Sequence, residues 1–162
     1  MAVRQRRMLA NYLEVGETPA FVLMGAGFTE LNESPSAQTT SKRYINDKSS
    51  TQSVTGYEWS TAFTTDQIKD QEVIDYIRNI GEKQLTGTDA ETRYVMVDLD
   101  KLATEATPNV FEARMIKVAI EVSDFGDEDG EMTAEGNLLG NGDIILGTFA
   151  TTTQTFTETV TV

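Results

Sequence analysis

Two turn signals in the last third of the chain constrain its fold more than any other feature of the sequence. Asp129-Gly130 and Asn141-Gly142 flank the segment 131–139, and such dipeptides accept the left-handed backbone of tight hairpin turns. Apolar and polar residues alternate around both turns, which is typical of half-buried strands. We therefore expect antiparallel strands at 109–124, 131–139 and 143–151.

The expected strand 109–124 changes its apolar phase near the middle. Its apolar side chains occupy first odd and then even positions: Phe111, Ala113 and Met115, followed by Ile116, Val118, Ile120 and Val122. A β-bulge shifts the alternation by one residue in this way. The sequence therefore predicts a bulge near Met115 that keeps both halves of the strand facing one core.

One segment has helical periodicity instead. A single apolar stripe at helical spacing is formed by Val73, Ile74, Ile77 and Ile80. Thr64 with Gln67 fits a capping box, and Gly81 is a natural left-handed stop. These signals predict a helix over 66–81.

Further strands are expected at 20–24, 52–64 and 91–99. A length of 162 residues suits one domain. We therefore expect residues 1–162 to form a mainly β fold, an antiparallel β-sandwich or open barrel with one flanking α-helix.

Three segments stand outside this plan. Residues 1–19 are expected to form a short arm with a basic head and apolar side chains that could dock on a surface. Residues 32–51 form a long polar loop, and such loops in compact domains are usually functional or disordered. Residues 152–162 read as a threonine-rich strand, which needs a partner from its own sheet or from another subunit.

The composition excludes several classes of function. The chain has no cysteine and no histidine, so thiolate nucleophiles, imidazole triads and zinc clusters are ruled out. We expect neither an enzyme nor a cofactor. The acidic run 124–131 breaks the EF-hand pattern, which favours a solvated turn over a calcium site. No apolar stretch reaches the roughly 18 residues of a spanning helix, so membrane insertion is not expected.

The charge balance is strongly acidic. The formal net charge is -13, and no lysine or arginine follows Lys117. Such a surface repels phosphate, because binding to DNA depends on basic side chains.

Several stretches of the sequence resemble the major tail tube proteins of long-tailed bacteriophages. The resemblance is carried by FTELN (28–32), the polar segment containing SKRYINDKSST, the block SVTGYEWSTAFTTDQI (53–68), the helix that ends in Ile80-Gly81, and VFEARMIKVAIEVSDFGDEDGEMTAEGNLLGNGDIILGTF (110–149). It spans most of the chain and lies in pattern rather than in a short catalytic signature.

This resemblance implies a structural role in a virion. Six subunits would form a ring, the rings would stack into a hollow tube, and genome DNA would pass through it into the host cell. The implied partners are further copies of the chain, other tail proteins at the tube ends, and a tape measure protein in the lumen before ejection. Assembly would take place in the cytoplasm of the bacterial host.

The resemblance also assigns candidate contact residues. The loop 32–51 would reach the adjacent ring through Ser34, Lys42, Arg43, Tyr44, Asp47 and Lys48. The arm and the last strand would contact neighbouring subunits through Arg4, Arg6, Arg7, Phe156 and Val160.

A polar side of two strands provides candidates for the channel wall: Glu58, Ser60, Glu131, Thr133, Glu135 and Asn137. They alternate with residues expected to point to the core: Tyr57, Trp59, Met132 and Ala134. The alternation is compatible with a lumen-facing side and equally with an outer surface. A monomeric β-sandwich that binds sugars or a protein partner is the alternative to the tube subunit.

Overall fold

The computed structural model describes residues 1–159, in which 56% of the chain is strand and 12% is helical. The sheets are antiparallel and a single α-helix accompanies them in this part of the chain, which confirms the expected fold class. The elements are β1 Leu9–Val15, β2 Ala20–Leu23, β3 Phe28–Ser34, β4 Ala37–Lys42, β5 Thr51–Tyr57, β6 Ser60–Asp66, α1 Glu72–Lys83, β7 Glu91–Leu102, β8 Val110–Glu128, β9 Glu131–Gly140, β10 Ile145–Ala150 and β11 Thr155–Glu158.

Nine strands form one sheet that divides along β8. The main path has the order β2-β1-β7-β8-β9-β6-β3, with β10 joined to β8 and β11 to β10. The 19-residue β8 pairs with β10 from Val110 to Met115 and with β9 from Val118 to Glu128. The strands β4 and β5 form a separate two-stranded sheet.

Apolar side chains are buried on both faces of β7 and β8. The first cluster, which α1 covers, includes Tyr94 and Ile116. The second cluster includes Val95 and Phe149. Val95 follows Tyr94 in β7 and points to the opposite face, because successive residues of a strand alternate between faces. The ring of Phe149 lies 4.4 Å from that of Tyr12, so the β10–β11 hairpin packs over the face opposite α1.

These two clusters explain the phase change in β8. Ala113 belongs to the second cluster and Ile116 to the first, while the β7–β8 register continues without a shift between them. The predicted bulge near Met115 is therefore wrong, because each half of the strand faces its own core. The irregularity of β8 lies farther along, between Val122 and Asp124.

The helix buries all four residues of its predicted stripe, but it begins and ends later than expected. Thr64 lies in β6, so the capping box with Gln67 is wrong, and the helix start has no side-chain cap. Gly81 is inside the helix, where a Cβ would lie 2.6 Å from the ring of Phe125. This glycine allows close approach to β8, and the left-handed cap falls on Gln84.

The chain before Val15 is not a free arm. β1 lies between β2 and β7 in the sheet, and Leu13 within it is fully buried. Ahead of the strand, Arg4 forms an ion pair with Asp98 at 3.0 Å. The expected arm 1–19 is therefore wrong over Leu9–Val15, which form an inner strand. None of the helices in residues 1–159 is long and apolar enough to cross a membrane.

Candidate assembly surfaces

One face of the β3-β6-β9-β8 part of the sheet carries mostly polar and acidic side chains. Directly opposed residues of antiparallel strands point to the same side, and Asn137 faces both Ala62 and Glu121, while Glu135 faces Thr64. We call this side the polar sheet face. Its members are Glu30, Asn32, Ser60, Ala62, Thr64, Glu121, Asp124, Thr133, Glu135 and Asn137.

The first cluster and α1 lie on the other side of the same strands. Phe63, Ala134 and Leu138 have the opposite parity and are almost completely buried. The polar sheet face therefore forms an open wall of the domain, with the core and the helix behind it.

The carboxylates of the polar sheet face are uncompensated. In residues 1–159, no ion pair involves Glu30, Glu121, Asp124 or Glu135. Their hydrogen bonds come from uncharged donors: Asn32 Nδ2 donates to Glu30 at 2.8 Å, the Thr64 hydroxyl donates to Glu30 at 3.3 Å, and Asn137 Nδ2 donates to Glu121 at 3.3 Å. No group of three possible metal ligands occurs in the described part of the chain. Uncompensated carboxylates of this kind repel phosphate, because binding to phosphate depends on basic side chains.

The structure brings together four of the six candidate channel residues, namely Ser60, Thr133, Glu135 and Asn137 on the polar sheet face. Glu131 lies on the same side at the β8–β9 turn, directly opposite Glu128. Glu58 lies in the connection before β6, where its N–H donates to the Ser36 carbonyl at 3.0 Å.

Only some of the residues that alternate with the channel candidates are buried in the core. Trp59 is buried, as expected, and so is Ala134. The expectation was wrong for Tyr57, which is 67% exposed, and for Met132, which is 58% exposed. Tyr57 ends β5 in the separate two-stranded sheet, and Met132 lies at the start of β9 beside the β8–β9 turn.

The expected long loop is a two-stranded hairpin. β4 and β5 pair from Ala37 with Tyr57 to Lys42 with Thr51, and every residue of β4 is exposed. We call β4, β5 and their connection 43–50 the projecting hairpin. It pairs with no other strand of the described chain, so it contributes surface rather than core.

The tip of the projecting hairpin is ordered by its own hydrogen bonds. The Tyr44 N–H donates to Asp47 Oδ2 at 3.0 Å, and the Asp47 N–H donates to the Tyr44 carbonyl at 3.0 Å. Arg43 Nε donates to the Asp47 carbonyl at 3.2 Å. This turn presents Tyr44 and Ile45 to solvent, 64% and 101% exposed. Of the candidate loop residues, only Ser34 lies elsewhere, paired with Ser60 at the end of β3.

The candidate contact residues near the termini mostly serve their own domain. Arg6 donates to Asn11 Oδ1 at 2.7 Å, Arg4 pairs with Asp98, and Phe156 packs against the second cluster. Arg7 is exposed and donates to Gln5 Oε1 at 2.7 Å. Val160 lies outside the described residues. The last strand, expected over 152–162, pairs with β10 of the same chain.

A buried polar group ties β1 to β7. Asn11 Nδ2 donates to the Tyr94 hydroxyl, and burial raises the pKa of that phenol above its ordinary value of 10.0. Tyr94 belongs to the first cluster, so this hydrogen bond joins the two strands at the edge of the core.

An open groove of about 870 Å³ lies at the base of the projecting hairpin. Among the residues that line it, Arg114 and Glu33 form a bidentate ion pair, with both N···O distances at 3.0 Å. The indole N–H of Trp59, at its floor, is buried and has no acceptor among the described residues. The ion pair joins β3 to β8 near the base of the projecting hairpin.

A branched antiparallel sheet, one covering helix and a hairpin clear of the core define a fold that occurs in phage-like tails. A chain in the tail of an empty gene transfer agent particle, computed with helical refinement in C6 symmetry, matches with a TM-score of 0.62 and 15% identity over 88% of this chain and 97% of that chain. A chain in the virion of the native gene transfer agent particle gives a TM-score of 0.49 at 15% identity over 89% and 98%. No protein-family model matches the chain, and no curated protein matches it in sequence. The first comparison confirms the expected tail-tube-like fold.

Proposed function

We propose that this protein is the repeating structural subunit of a phage-like tail tube. The observation that carries the proposal is a tail-protein fold over 88% of the chain, together with a projecting hairpin that belongs to no core. A folded, ordered segment that buries nothing in its own domain is best explained by a contact with another molecule.

In this proposal six copies form a ring and the rings stack into a hollow tube in the tail of the virion. The other tail proteins bind at its ends, a tape measure protein occupies the lumen before ejection, and DNA passes afterwards. The tube is assembled in the bacterial cytoplasm. The subunit acts as a wall rather than as an enzyme and needs no cofactor.

We assign the polar sheet face to the bore. Its carboxylates have no ion-pair partners in residues 1–159, and phosphate retention would require basic side chains. An acidic bore lets DNA slide without binding. This orientation places α1, on the opposite side of the strands, toward the outside of the tube.

Assembly of the purified full chain tests the proposal. Size-exclusion chromatography with light scattering should give species much larger than 17.9 kDa, and negative-stain images should show sixfold rings and hollow tubes. A chain that stays monomeric at high concentration is not a tube subunit, and the monomeric binding module becomes the better explanation.

The bore assignment needs its own test. Tubes of the Glu121→Lys/Glu135→Lys variant should retain short duplex DNA that parental tubes release, as measured by co-sedimentation. Glu17→Lys/Glu105→Lys is the matched control, because it changes the net charge equally at two exposed positions outside the polar sheet face. Equal retention by both variants would remove the polar sheet face from the bore.

A further inference from the structure

The projecting hairpin and the β8–β9 turn lie at opposite ends of one sheet. Ser34, Ser60 and Leu139 are aligned at the end where the hairpin leaves. At the other end Asp66 pairs with Thr133, and the β8–β9 turn extends beyond them. Six residue steps of strand separate these ends by about 20 Å.

An exposed apolar patch lies at the end that carries the β8–β9 turn. Met132 is 58% exposed, Ile68 41% and Phe125 37%. Met132 has the parity of buried Ala134, the Phe125 ring packs on α1 at Gly81, and the residue before Ile68 donates its N–H to the Met132 carbonyl at 2.9 Å. All three therefore lie on the helix side, and we call them the end patch.

The charges at the two ends are opposite. The turn beside the end patch carries only acids, namely Asp127, Glu128, Asp129 and Glu131. Glu128 is directly opposite Glu131, and like charges in that position destabilise a hairpin unless a cation lies near them. The tip of the projecting hairpin carries three cations and one acid, namely Lys42, Arg43, Lys48 and Asp47.

The two ends also match in their apolar groups. Tyr44 and Ile45 at the tip are more exposed than the residues of the end patch, and exposed apolar groups rimmed by charge are typical of protein interfaces. Within one chain the tip and the end patch cannot meet, because they lie at opposite ends of the sheet. The occupant that fits is therefore a second copy of this chain.

We infer that the hairpin tip of one copy docks on the end patch of the next copy. Tyr44 and Ile45 pack against Met132 and its neighbours, and the tip cations lie beside Glu128 and Glu131. This inference rests on the proposed tube function and adds the surface that receives the hairpin. The contact joins two different surfaces at opposite ends of the sheet, and such a heterologous contact repeats as an open stack unless the rotation between copies closes a ring.

Charge reversal tests the electrostatic half of the contact. Lys42→Glu/Lys48→Glu and Glu128→Lys/Glu131→Lys should each raise the concentration needed for tube formation by about tenfold, or 1.4 kcal/mol. Combining the four substitutions restores opposite charges and should return assembly toward the parental level. Lys83→Glu/Lys101→Glu and Glu17→Lys/Glu105→Lys are controls of equal charge change at exposed positions.

Disulfide trapping tests the geometry, since the chain has no cysteine of its own. Ile45→Cys/Met132→Cys tubes should give a ladder of covalent multimers under mild oxidation, and Val54→Cys/Met132→Cys should not. A disulfide needs Cα atoms within about 7 Å, so the ladder requires contact between copies.

The outcomes separate this inference from the function on which it rests. Absence of rings and tubes from the parental chain contradicts the proposed function. If the parental chain forms tubes, the docking is overturned by reversal variants that assemble normally, by a combined variant that stays defective, or by trapping that gives no ladder.

Discussion

Replacing residues 37–57 by a Gly-Gly linker should abolish tube formation and leave the domain folded. The two residues that the linker would join are already close together, because the Glu58 N–H donates to the Ser36 carbonyl at 3.0 Å. With two glycines between them, those residues become the first and last positions of a β-turn. No residue of the removed segment belongs to either apolar cluster.

Loop-closure entropy sets the expected size of the effect on stability. Shortening the connection from about 20 residues to two favours folding by about 2 kcal/mol at most. The pairing within the hairpin is lost as well, so the free energy of unfolding should stay within about 2 kcal/mol of the parental value. For a domain of this size that corresponds to a shift in Tm of less than about 8 °C.

Urea denaturation followed by circular dichroism measures the stability, and negative-stain microscopy measures assembly. A Val54→Thr variant keeps the projecting hairpin and should assemble normally. A loss of about 4 kcal/mol or more would mean that the hairpin is part of the folding unit, a result outside the entropy estimate. Normal tubes from the shortened chain would refute its role in assembly.

Three further predictions concern the core. Phe149→Ala removes a completely buried ring and should lower the free energy of unfolding by about 3–5 kcal/mol in urea titrations. Gly81→Ala should destabilise the protein, although alanine is the better helix former by about 1 kcal/mol, because its Cβ would lie 2.6 Å from the Phe125 ring and 2.9 Å from Val122 Cγ1. In a Val122→Ala/Phe125→Ala background the sign should reverse. Because burial raises the pKa of Tyr94, the unfolded state loses that phenol proton first; stability is therefore complete below about pH 10 and falls above it.

Each of these has a control. Tyr57→Ala alters a 67% exposed ring and should change the unfolding free energy by less than about 0.5 kcal/mol. A destabilising Gly81→Ala that persists without the Phe125 ring and the Val122 methyl groups would show that these contacts are not the cause. Tyr94→Phe should reduce the loss of unfolding free energy that occurs as the pH rises above about 10. An unchanged dependence on pH would assign that loss to other groups.

Periodicity predicted the strands and the sides of the sheet because both follow from local geometry. Asp129 and Gly130 have the positive φ that their turn requires, and Ser60 shares a face with the alternate residues of β9. Glu58 departs from that pattern because the chain leaves the sheet before β6 begins.

The errors arose where tertiary contacts outweigh local signals. A capping pattern at Thr64 was overridden by pairing of β6 with β3 and β9. The apolar phase of β8 predicts a bulge, because a strand that serves two cores has the same local pattern as a bulged strand that serves one. The projecting hairpin is threonine-rich, which favours strands, but exposure on both faces removes the alternation that would have revealed it.

The shared strand β8 also has a mechanical consequence. Its first part is bonded to β7 and β10 and its second part to β9, so tension along this strand loads several hydrogen-bond ladders in shear. Bonds loaded in shear resist together, whereas a terminal hairpin peels open one bond at a time. A domain built on such a strand should therefore resist tension applied along β8.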